Sequence, residues 1–275
     1  MSAEIELSDV RQVFRVRGDE GREVQEFVAL DGLDLTVREG EFLTLVGPSG
    51  CGKSTILDLI SGLSTPSGGS VKVGGRQVKE PGLDRGFVFQ QYTLLPWRTA
   101  LANIEFALEA KGGLSKAKRR ERALEYLDLV GLSDFANRFP HELSGGMKQR
   151  VAIARSLSYE PEVLLMDEPF GALDAQTRER LQEELVGIWR RTGTTIVFIT
   201  HDIEEAVFLG QRVAVMSSRP GRIEAVIDIE LDRAATDEDI RSTAAFSHYR
   251  HQIWSLLRPE GVHRGAHLEE VHRVA

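Results

Sequence analysis

Gly47-Pro-Ser-Gly-Cys-Gly-Lys-Ser-Thr55 is the stretch that decides the fold. It fits Gly-x-x-x-x-Gly-Lys-Ser, in which glycines let backbone N–H groups turn inward toward phosphate oxygens. Apolar residues 41–46 precede it and read as a short buried strand, and 53–61 follow as a helix. That helix turns its positive N-terminal end toward the same anion. Lys53 supplies a point charge for the β- and γ-phosphates, Ser54 a hydroxyl for Mg²⁺, and Thr55 a bond to the α-phosphate. Gly47, Pro48, Ser49, Gly50, Cys51 and Gly52 form the loop itself. A label on Cys51, the only cysteine, is expected to obstruct the loop by bulk.

Working outward, residues 3–37 read as strands broken by a polar hairpin loop over 17–26. Short strands are expected at 70–73 and 85–90, helical structure over 100–138 and 144–158, and a buried strand at 163–166. An amphipathic helix over 175–192, a β-branched strand over 195–200, a helix at 203–209 and a strand at 212–216 follow. Strands alternating with helices around a glycine loop predict an α/β fold on a mostly parallel sheet. A last strand is expected at 222–231 and a helix over 237–257, with 258–275 weakly patterned.

The chain has 275 residues, 41% of them hydrophobic and 28% charged, enough for one large domain with a small appendage. A net charge of −8 argues against a broad polyanion-binding surface. The basic run Lys116, Lys118, Arg119, Arg120 and Arg122 reads as a solvated helix face, and no nucleic acid is assigned to it. No apolar run approaches the roughly 18 residues of a membrane span, and the N-terminal residues lack the pattern of a secretory signal. A single cysteine permits no internal disulfide and fits a reducing compartment. Histidines 248, 251, 263, 267 and 272 crowd the C-terminal tail, without acid or thiol partners at metal-binding spacing.

Two further segments carry chemistry. Val163-Leu-Leu-Met-Asp167-Glu168 is an apolar strand that ends in two carboxylates. Asp167 is placed to meet Mg²⁺, and Glu168, one residue on, to polarise an attacking water. Leu143-Ser-Gly-Gly-Met-Lys-Gln-Arg150 puts a hydroxyl and paired glycines at a helix N-terminus, a second anion cradle with no evident use in its own nucleotide site. Ser144 is also a good N-cap residue.

Leu143–Arg150 resembles the signature of ATP-binding cassette (ABC) ATPases, and other landmarks of that family follow in order. They are Gln90 after Phe89, Asp167-Glu168-Pro169, Gly171-Ala-Leu-Asp174, and His201 after Thr200. Met147 departs from the glutamine usual at its position. The resemblance spans about residues 4–230. It implies a P-loop core with an antiparallel β subdomain and an inserted helical subdomain over about 91–158; beyond it, 231–275 reads from its own pattern as a C-terminal helical tail. By the same resemblance Ser144, Gly145 and Gly146 face the γ-phosphate held by a second subunit, and Asp174 meets that subunit. Gln90 reaches Mg²⁺ and water, His201 contacts the γ-phosphate, and Phe14 stacks on adenine. ATP and Mg²⁺ are the implied cofactors, and closure of two copies is a condition for hydrolysis.

Tyr92, Leu94, Leu95 and Trp97 lie just after Gln90 in an apolar, proline-stiffened loop suited to receive a partner helix. Leu-Leu-Pro-Trp97 and Val215-Met-Ser-Ser-Arg-Pro-Gly-Arg222 look like importer ATPases of the nitrate/sulfonate/taurine group. That implies polytopic permease subunits, an extracytoplasmic solute-binding protein, and a peripheral place on the cytoplasmic face of the inner membrane. Two rivals share the glycine loop. ABC-type ATPases of DNA maintenance or ribosome function usually carry a coiled-coil insertion or two cassettes, and small-molecule kinases have no use for Leu143–Arg150.

Overall fold

The computed structural model describes residues 2–17, 24–231 and 240–258. Among these described residues ten strands form two sheets. The smaller pairs β1 (Ile5–Arg17) with β2 (Val24–Val37) and with β4 (Gly68–Val73), which in turn pairs β5 (Arg76–Gln77); every pairing is antiparallel. The larger runs β10 (Ile223–Asp228), β9 (Arg212–Met216), β3 (Phe42–Val46), β8 (Thr195–Ile199), β7 (Val163–Asp167), β6 (Arg85–Val88). All its pairings are parallel except β10 against β9.

Strand alternation divides the core. On one face Leu43, Leu45, Val163, Leu165, Val197 and Ile199 pack with α1 (Lys53–Ser61) and the small sheet. On the other, Phe42, Leu164, Met166, Ile196 and Phe198 meet helices. These are α2 (Ala100–Lys111), α3 (Lys116–Leu129), α4 (Gly145–Leu157) and α5 (Ala175–Thr192). Side chains buried on both faces explain why β3 and β8 are apolar but for one threonine each, Thr44 and Thr195, rather than alternating. Burying each such side chain contributes about 1.5–3 kcal/mol.

The helical expectation over 100–138 resolves into α2, α3 and a 3₁₀ turn at Ser133–Phe135. Gly112 and Gly113, both at positive φ, end α2, and the Ser115 hydroxyl caps α3. The basic residues of α3 lean on acids of α2: Arg119 on Glu109 and Arg120 on Glu105, each at 3.9 Å. Strands expected in 3–37 as separate pieces are two long strands whose register shifts at bulges. The expected helix over 237–257 is shorter. A 3₁₀ turn, Ile240–Ser242, precedes α7 (Ala244–Leu257), which starts where the Thr243 side chain accepts from the Phe246 N–H. Phe246 and Ile253 of α7 pack on α6 (Ile203–Leu209), β9 and β10. His263, His267 and His272 lie outside the described residues.

Candidate active site

The parallel strands β3, β8, β7 and β6 are neighbours in that order, so their C-terminal ends share one edge. That edge is where open α/β sheets bind ligands. The 47–55 loop leaves β3, His201 follows β8, Asp167 ends β7 with Glu168 next, and Gln90 follows β6. Four segments scattered over some 150 positions thereby meet at one place.

Gly50 and Gly52 take φ of +72° and +103°, a backbone that side-chain-bearing residues rarely adopt, and Gly52 is the N-cap of α1. No acidic residue sits in the first turn of α1 to neutralise its positive end. The Lys53 ammonium lies back across the loop and donates to the carbonyls of Gly47 at 2.8 Å and Pro48 at 3.0 Å. A cavity of about 510 Å³ opens here. Ser49, Gly50, Gly52, Lys53, Ser54 and Thr55 form its floor, Phe14 and Phe27 one wall, and Glu168 and His201 another.

His201 Nδ1 is 3.1 Å from Glu168 Oε2. Glu168 holds φ at +42°, a left-handed conformation that costs a non-glycine residue about 1–2 kcal/mol. Its N–H donates to the Ile199 carbonyl at 3.0 Å, and its carbonyl accepts from Gly171 at 3.1 Å. The neighbouring strand and turn thus impose the unusual backbone and aim the carboxylate. The Gln90 amide and the Glu168 carboxylate both flank Gly171. Ser54 hydrogen-bonds to the Asp167 carboxylate, whose pKa burial pushes up; Glu168 and Asp58 push the same way, Ser54 and Lys53 against. One hydroxyl and one carboxylate side by side are hard oxygen donors of the kind Mg²⁺ uses when phosphates complete its shell.

Not every expected residue faces the cavity. Cys51 is not among the residues that line it, and its thiol is buried at 1% exposure, 4.0 Å from the Met216 sulfur. Burial also pushes its pKa up, with Lys53, 3.9 Å away, pulling against it, so the sulfur is a core atom beside the loop and a slow target for a thiol label. Ser144, Gly145, Gly146 and Asp174 do not line this cavity. Ser144 caps α4 by accepting from the Met147 N–H at 3.3 Å, and Asp174 caps α5 by accepting from the Thr177 N–H at 3.0 Å. That bond holds the Asp174 carboxyl below its ordinary range. Sequence reasoning missed Phe27, Ala29 and Arg219, which also line the cavity. Phe27 could have been found from the strand register, since it pairs with Phe14.

The ABC transporter family profile matches residues 30–171. The nitrate import ATP-binding protein NrtD of Synechocystis sp. is 48% identical over 279 residues, covering 98% of this chain and 99% of that protein. The chain belongs to the ABC transporter ATP-binding family. The taurine import ATP-binding protein TauB of Rhizobium johnstonii is 50% identical over 233 residues, covering 83% of this chain and 88% of that one. A solved cassette, MJ0796 as a dimer in a post-hydrolysis state with ADP and Pi, superposes with a TM-score of 0.70. It shares 37% identity over 82% of this chain and 99% of that one. As an ABC ATP-binding subunit, the protein binds ATP and hydrolyses it to power transport, and the P-loop α/β fold is the one its sequence anticipated.

Proposed function

We propose that the protein is the cassette of an importer for a small anion of the nitrate/sulfonate/taurine type, working as a homodimer beneath two polytopic permease subunits. An extracytoplasmic solute-binding protein would deliver the solute. Relatives named for nitrate and taurine import support this reading, as does the absence, among the described residues, of any helix long and apolar enough to cross a membrane. The protein then sits peripherally, on the cytoplasmic face of the inner membrane.

In this reading the backbone of 47–55 wraps the phosphates, Lys53 offsets their charge and Phe14 stacks on adenine. Ser54, Asp167 and Gln90 would hold Mg²⁺, which would help to offset the charge of the phosphates. Glu168 polarises a water, His201 bonds the γ-phosphate, and the water oxygen replaces the β–γ bridging oxygen on phosphorus. Ser144, Gly145 and Gly146 serve the partner's ATP, with Asp174 at the seam. DNA-maintenance and ribosomal ATPases of the same fold are the second class.

One observation carries the transport reading. Trp97 is 71% exposed at the rim of the helical subdomain, a few residues beyond Gln90. Between Gln90 and Lys148 a groove of about 520 Å³, with Tyr92, Leu94 and Pro140 in its walls, lies open. A large exposed ring three residues along the chain from the Leu94 wall of an open groove suits a partner's helix. The test is uptake of labelled nitrate and taurine by vesicles holding the purified native complex. Trp97→Ala is expected to cut uptake about tenfold or more while the isolated chain keeps its ATPase rate. Full uptake by that variant, or a purified complex without a membrane protein, would overturn the proposal.

A further inference from the structure

The roles assigned so far leave idle the turn between β9 and β10, Ser217-Ser-Arg-Pro-Gly-Arg222. Its position is tightly fixed. Gly221 donates to the Ala29 carbonyl at 2.9 Å and accepts from the Asp31 N–H at 3.3 Å, which attaches the turn to β2. Arg222 pairs with Asp31. A Cβ on Gly221 would overlap the Cys51 carbonyl, so only glycine lets the turn press against the phosphate loop.

That clamp projects Arg219 to the cavity mouth. Its Nε donates to the Gly50 carbonyl at 2.9 Å, and its guanidinium carbon lies 5.2 Å from the centre of the Phe27 ring. A Cβ on Gly50 would overlap the guanidinium, so the glycine leaves it room. Arg219 is exposed, and among the described residues no carboxylate lies within ion-pair distance. Only Nε is engaged; both Nη groups lack a hydrogen-bond partner among the described residues. An unbalanced cation, held between an aromatic ring and an anion cradle, has donors to spare on the side of the cavity.

We propose that Arg219 contacts the nucleotide, its two Nη groups donating to the phosphate chain bound in the 47–55 loop. The proposal rests on the reading that the phosphates lie in that loop. It gives the cavity a second cation, and charge-assisted bonds to phosphate are among the stronger ones a side chain makes. Arginine suits the place better than lysine, because its planar fork can lie on Phe27, hold Gly50 and still present two donors. A bracing role alone would need only the Nε bond.

The test is calorimetric titration of ADP into the full chain, with Arg219→Gln, Arg219→Lys and Lys53→Ala. At low salt Arg219→Gln is expected to weaken ADP binding about tenfold, with the melting temperature of the nucleotide-free chain unchanged. Arg219→Lys is expected to recover part of the loss. In about 0.5 M salt the gap between wild type and Arg219→Gln is expected to narrow, because an exposed charge contact is screened. Unaltered binding by Arg219→Gln, where Lys53→Ala has lost it, would overturn this inference alone. Normal binding by Lys53→Ala would remove the loop reading and this inference with it. A loss that persists at high salt together with a lower melting temperature would reduce Arg219 to a brace and overturn the contact.

Discussion

At the scale of single residues, Glu168 has the most demanding placement. Its backbone is left-handed, the Ile199 and Gly171 bonds hold it there, and its carboxylate meets His201 at 3.1 Å. Such conformations persist only where the surroundings over-determine them, and they gather at sites of chemistry. Replacing Glu168 by glutamine keeps size and shape and removes the proton acceptor. The Glu168→Gln protein is expected to bind ATP with unchanged affinity and to release phosphate about 10²- to 10⁴-fold more slowly. Calorimetry and a phosphate-release assay read the two halves, and a mutant that still turns over normally would shift the base elsewhere. Cys51 shows the opposite case: its place in the loop is central, yet its side chain fills core beside the site.

At the scale of elements, the loop that carries His201 is tied to its neighbours by a polar network that runs from the surface to the buried pair Gln182 and Glu205. Asp202 caps α6, accepting from the N–H groups of Glu204 and Glu205 at 2.9 and 3.2 Å, and pairs with Arg178 of α5 at 3.6 Å. Glu205, 5% exposed, accepts from Gln182 of α5 at 2.9 Å, and Gln182 accepts from Arg241 at 2.7 Å. Burial pushes the Glu205 pKa above its ordinary 4.5; Asp202 pushes the same way, while Thr200, Gln182 and Arg178 oppose. The folded chain therefore holds this proton more tightly than the unfolded chain. Its contribution is full below the unfolded pKa and is lost as pH rises from there through the folded pKa. In urea titrations wild type is expected to lose stability relative to Glu205→Gln as pH climbs from about 4.5 upward. A difference that stays flat with pH would mean that folding does not raise the Glu205 pKa.

At the scale of the whole molecule, one cavity gathers the phosphate loop, Glu168 and His201 but leaves the Ser144 cradle outside. If each ATP is gripped by two copies, two crippled chains can repair each other. Lys53→Ala destroys one chain's phosphate loop, and Ser144→Arg blocks the other chain's cradle. In the mixed dimer one site inherits both faults and the other neither. An equimolar mixture is expected to regain up to about a quarter of wild-type phosphate release, from half the dimers with one intact site each. Each mutant alone is expected to be inactive. A mixture as silent as its parts would show that both groups serve the same chain's site.

Local pattern carried much of the outcome. The strand–glycine loop–helix at 41–61 was readable because the phosphate loop needs glycine where φ is positive, and the apolar runs at 163–166 and 195–200 because buried parallel strands are apolar on both faces. The helix break at Gly112-Gly113 and the late start of α7 at Thr243 were local too, yet the periodicity of the flanking residues concealed them. Strand order was beyond any local signal. Only the packed sheet places Gln90, Asp167, Glu168 and His201 on one edge, and only the contact of the β9–β10 turn with Gly50 brings in Arg219. Those contacts join residues as far as 169 positions apart, and spacing along a chain holds no record of which distant segments it is favourable to bury together.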